Sequence, residues 1–118
     1  MIYLGRESLL AWVLNRIAGV AVAVFVLIHI IDTSLVALGP AVYNEAIHIY
    51  RQPVVRVLEV LLAGGVMYHA GNGLRVMLID FFPGAIKYNR SMIAVGLVVF
   101  PVAFVILAYV MLRPVFLR

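Results

Sequence analysis

Three long stretches of this chain carry no formal charge: Ile17 to Ile31, Val60 to Leu74, and Ser91 to Leu112, the last of 22 residues. A helix needs about 20 apolar residues to cross a hydrocarbon layer of roughly 30 Å. Backbone polar groups in that layer must be satisfied within the segment, so such runs form helices. Extended to their natural ends, the runs predict spans over about 9–38, 53–81 and 91–112, an all-α membrane protein of three transmembrane helices forming one domain over 1–118. With 66% hydrophobic and 12% charged residues, the chain has too little polar surface to clothe a soluble fold. The remaining segments are too short for a soluble domain, so any catalytic or redox module outside the membrane is expected on another polypeptide.

Proline and glycine punctuate these spans. Gly39-Pro40 closes the first, Pro53 fits the first turn of the second, and Phe82-Pro83-Gly84 ends it. Pro101 falls inside the third, where a kink rather than a break is expected. Ala41 to Tyr50 is amphipathic and predicts a short helix along the interface. The first span is long and keeps Arg16 and Asp32, so it is expected to be retained rather than cleaved as a signal peptide.

Composition narrows the chemistry. The chain has no cysteine, which excludes iron–sulfur ligation, covalent haem attachment, thiol nucleophiles and disulfides on this polypeptide. The net charge of +4 needs no nucleic-acid partner, since the basic residues fall where lipid headgroups lie. Arg6, Arg16, Arg75, Lys87 and Arg90 share the side of the N-terminus and second connection, against Arg51, Arg56, Arg113 and Arg118 opposite. Five against four leans the N-terminus toward the cytoplasm.

His69 is the ionisable residue of the run from Val60 to Leu74, and an imidazole in hydrocarbon costs free energy unless it is bonded. Gly65, His69 and Gly73 fall at i, i+4 and i+8 on one helix face, with Asn72 beside them. Two readings fit. The glycines leave a flat recess for a porphyrin edge with His69 on the iron, or they let two helices approach closely while His69 bonds a neighbour. His29 in the first span offers the same choice without a glycine recess, with Asp32 and Thr33 as candidate partners. His29 lies 13 residues beyond Arg16, about 20 Å. His69 lies six residues, about 9 Å, from Arg75 on that same side. One iron cannot serve both histidines. One histidine per depth also leaves a haem half-ligated, so a second membrane subunit is expected to supply the opposite ligands. His48, in the connection, reads as a solvated histidine.

The second-span run of His69, three residues, Gly73, Leu74, Arg75 and then Asp80 resembles the signature of the cytochrome b membrane-anchor (C-type) subunit of succinate dehydrogenase, complex II. In that family the histidine is the axial haem ligand. Val76 stands where the pattern has histidine or phenylalanine, and Ile79 where it has an aromatic or methionine. The first span resembles the family's other motif, serine, two residues, histidine-arginine, one residue, serine or threonine, then glycine. It reads Trp12-Val13-Leu14-Asn15-Arg16-Ile17-Ala18-Gly19, keeping the arginine and glycine.

The resemblance implies haem b, one or two, shared with a second membrane-anchor subunit, with His69 on the proximal haem and His29 on a distal one. It implies a quinone site bordered by Arg16, Trp12 and Asn15, altered in detail by Trp12 in the serine's place. Arg16 and Arg75 would offer bidentate donors to haem propionates or a quinone carbonyl. Electrons would come from a flavoprotein subunit holding FAD, through an iron–sulfur subunit, with no nucleophile or acid–base group on this chain. The setting implied is the cytoplasmic membrane of a prokaryote, and a fumarate reductase anchor belongs to the same family. Two other classes stay beside this one. A small transporter typically has an acidic residue at mid-membrane, whereas Glu59 lies near an end; a haem-free scaffold needs neither histidine.

Overall fold

A computed structural model describes residues 6–117, the side chains of Glu7 and Ser8 excepted. Helix α1 spans Arg6–Ser34 and tightens into a 3₁₀ turn over Leu35–Leu38. Gly39 follows with φ +102° and ψ 167°, a region open essentially to glycine. This turn redirects the chain into α2, Pro40–Tyr50, with Pro40 in the first turn where no N–H partner is needed. Helix α3, Pro53–Phe81, starts on Pro53 in the same way. A 3₁₀ stretch, Pro83–Tyr88, leads to α4, Asn89–Phe116, which runs unbroken through Pro101 and Pro114. Three helical segments, Leu9–Leu38, Pro53–Phe81 and Pro83–Phe116, are long and apolar enough to cross a membrane.

Helix α3 is the middle of the unit and packs along both α1 and α4. The end carrying the start of α1, the end of α3 and the start of α4 is one end of the molecule, where Arg75 of α3 reaches Asn89 of α4 at 2.6 Å. At the other end, the Tyr50 hydroxyl of α2 donates to the Asp32 carboxylate of α1, tying the amphipathic helix to the span it follows. The Arg56–Glu59 ion pair, 3.1 Å and half-exposed, sits one turn into α3 and adds little.

The unit measures 57 × 32 × 20 Å, a thin layer in which most side chains have one helix on one side only. Among the described residues, Ala18, Val60 and Gly64 alone are buried. Large apolar groups face outward instead, Leu97 at 72% exposure and Phe81 at 74%. Between helices in lipid there is no hydrophobic drive to associate, so contact rests on close fit and interhelical hydrogen bonds. The fit is tight at Gly64, where a Cβ would come within 2.6 Å of Phe104 Cε2. Phe104 stacks on Phe100, which meets the Tyr68 ring edge-on at 5.8 Å.

Candidate functional site

Two consecutive side chains of α3 grip the backbone of α1. The Tyr68 hydroxyl donates to the Ala11 carbonyl at 2.9 Å. One turn further along α1, the Asn15 carbonyl oxygen lies 3.3 Å from His69 Nδ1. Another turn on, Gly19 makes room for the ring, since a Cβ there would stand 3.1 Å from His69 Cε1 and 3.4 Å from Nδ1. A carbonyl oxygen only accepts, so this contact puts a proton on Nδ1, and in the neutral ring that tautomer carries its lone pair on Nε2. Nε2 has no hydrogen-bond partner among the described residues. Metal-ligating histidines have this arrangement, one ring N–H held by a carbonyl and the other nitrogen free to ligate.

The recess around His69 is open. A Cβ at Gly65 or Gly73 would meet nothing within 4 Å, whereas the glycine pressed against a neighbouring helix is Gly64. The two readings of small residues along α3 therefore divide between its faces: Gly64 serves packing, and Gly65 and Gly73 flank the imidazole with free space. Among the described residues no three histidine, aspartate or glutamate side chains converge.

His29 lies ten residues beyond Gly19 on α1, about 15 Å further along the axis than the level of His69. Its exposed ring packs at 5.4 Å from that of Phe25. Both residues suggested as its partners are occupied: the Thr33 hydroxyl donates to the His29 backbone carbonyl, and Asp32 accepts from Tyr50. The imidazole has no hydrogen bond among the described residues. Toward the start of α1, the Arg16 guanidinium lies over the Trp12 ring at 4.5 Å, a cation–π contact with both residues exposed.

A sequence model of the succinate dehydrogenase/fumarate reductase transmembrane subunit family matches residues 2–111. The chain belongs to that family. It is 35% identical over 92 residues to the succinate dehydrogenase 2 membrane subunit SdhC of Mycobacterium tuberculosis, covering 78% of this chain and 68% of that one. The succinate dehydrogenase hydrophobic membrane anchor subunit of Archaeoglobus fulgidus is 33% identical over 78 residues, 66% of this chain and 67% of its own. That of Halobacterium salinarum is 29% identical over 85 residues, 71% and 65%. A succinate dehydrogenase membrane anchor with three spanning helices is a multi-pass membrane protein.

In this anchor the residues of the two motifs do not all meet. His69, Asn15 and Gly19 come together, with Gly65 and Gly73 on the same face of α3. Arg75 turns elsewhere: Nε donates to Asn72 Oδ1 at 3.1 Å and Nη1 to Asn89 Oδ1 at 2.6 Å, on the α4 side. Six residues at 100° each carry it about 120° around the helix from His69. Asp80 is exposed, and among the described residues it pairs with neither Arg75 nor Arg16. Asn15 contributes more than its carbonyl, because its side-chain Oδ1 is buried with no hydrogen-bond partner among the described residues. Gly19 acquires its role through contact with His69; the cues in the sequence are that it is the glycine of the first-span motif and lies four residues past Asn15, on the same face.

Proposed function

We propose that this anchor holds haem b between itself and a second membrane-anchor subunit, with His69 as an axial ligand through Nε2. The reading rests on one observation: His69 Nδ1 lies against the Asn15 carbonyl while Nε2 has no hydrogen-bond partner among the described residues, and Gly65 and Gly73, a turn to either side on the same face, leave free space. When bound, haem supplies a one-electron carrier within an apolar bundle. The residues of this chain hold the ring's tautomer, leave room for a flat edge, and keep water away with apolar neighbours.

His29, unbonded and about 15 Å deeper, serves a second haem in the other half of the membrane. The N-terminal end faces the cytoplasm of a prokaryotic cell. There an iron–sulfur subunit, fed by an FAD-bearing flavoprotein, delivers electrons from succinate for reduction of quinone. Arg16, Trp12 and Asn15 border that quinone site. Arg16 offers a guanidinium to a quinone oxygen, Trp12 a flat apolar wall, and Asn15 a buried amide oxygen ready to accept from a quinol hydroxyl. Arg75 has no part in the proposal, because Asn72 and Asn89 hold it on the α4 side. The whole chain acts as one transmembrane domain.

A pyridine haemochrome spectrum of the purified complex tests the reading. A b-type signal that falls by about half in His69→Ala, leaving the haem on His29, supports it and excludes a haem-free scaffold or small transporter. A signal unchanged by that substitution overturns it.

A further inference from the structure

The side of α3 turned away from His69 borders a second recess. Between α1, α3 and α4 lies a groove of about 530 Å³, walled by Leu14, Met67, Gly71, Ile93, Gly96 and Leu97. A Cβ at Gly71 or Gly96 would meet nothing within 4 Å, so glycines on two walls keep the groove open. On α4 its lining runs from Met92 to Ala103, eleven residues or about 16 Å of rise, roughly the depth of one leaflet. Among the described residues Arg75 is the single charged one that lines it, with Asn72 beside it.

Arg75 is held in place, but among the described residues its charge is not matched. Its two acceptors, Asn72 and Asn89, are neutral amides, and among the described residues the one ion pair is Arg56–Glu59. Of five guanidinium N–H donors, two are used and three remain. A permanent cation beside apolar walls is stabilised by an anion. Arg75 stands six residues before the end of α3, about 9 Å, which brings its head toward the headgroup layer while the groove leads inward.

We propose that this groove binds one anionic phospholipid of the leaflet on the N-terminal side, its phosphate on Arg75 and one acyl chain along α4. A charged head and an apolar tail on one molecule answer both features of the site. A neutral quinone would fill the groove and leave the cation unmatched.

The test is lipid retention by the intact membrane complex, reconstituted in nanodiscs of phosphatidylglycerol and phosphatidylcholine and read by native mass spectrometry. The expected result is one phosphatidylglycerol kept per copy of this chain through detergent washing, with Arg75→Gln weakening retention about tenfold. Gly96→Leu, which fills the groove and leaves Arg75 intact, reduces it as well, and decides the question alone should the Arg75 variant fail to assemble. Equal retention in the variants, no preference over phosphatidylcholine, or displacement of the lipid by added neutral quinone would overturn the proposal.

Discussion

His69 and Asn15 meet through a ring nitrogen and a main-chain oxygen 3.3 Å apart, across the contact between α1 and α3. No side-chain substitution deletes that acceptor. The contact is testable through Gly19, whose missing side chain lets the ring lie where it does.

Gly19→Ala places a methyl group 3.1 Å from His69 Cε1, so the ring must yield slightly; Gly19→Val forces a larger move. The alanine variant is expected to keep both haems, that on His69 with a displaced midpoint potential, and the valine variant to lose the haem on His69 and so about half of the total. Haemochrome content and redox titration measure both. A valine variant with normal content and potential would show that the ring does not rest on Gly19.

His29→Ala is expected to halve the haem-to-flavin ratio of the assembled complex while the signal lost in His69→Ala persists. A ratio of one haem per flavin in the unaltered complex would remove His29 from the ligand set.

Gly64→Ala drives a Cβ to within 2.6 Å of Phe104, whose ring is stacked on Phe100 and has little freedom to retreat. Overpacking of this kind costs about 1–3 kcal/mol. Thermal inactivation of the solubilised complex should fall to lower temperature, and Phe104→Leu in the same chain should recover most of the loss. No recovery would mean that the strain lies elsewhere.

Gly39→Ala asks an L side chain to adopt φ +102°, at a cost of about 1–3 kcal/mol. Faster proteolysis in the segment joining α1 and α2 is the expected sign, checked by limited digestion of the complex in membranes. An unchanged digestion pattern would show that the turn relaxes without penalty.

The spanning helices were legible because charge-free runs of this length have one stable form in hydrocarbon. His69 stood out for a related reason, as an ionisable group in a stretch that offers it no water. What holds the ring was not legible: a backbone carbonyl belongs to every residue, and residue identity does not mark which one a neighbouring helix will present. Arg75 illustrates a second limit. Depth along α3 put it near the histidine, but direction around the helix separates them by about 120°, and Asn89 on the following helix draws it further away. The glycines along α3 were ambiguous because one residue type serves close packing at Gly64 and open space at Gly65 and Gly73. Only the position of the neighbouring helix tells these apart.

The Tyr68 hydroxyl is tied to α1, and the Tyr68 ring rests against Phe100 of α4. Anchored on two sides, this residue opposes rotation of α3, and the adjacent imidazole shares its heading. The imidazole is thus oriented within a single polypeptide. If His69 takes the haem as proposed, such preorganisation spares the ordering cost, about 0.5–1.5 kcal/mol for a rotamer-rich side chain, that capture of a cofactor would otherwise carry.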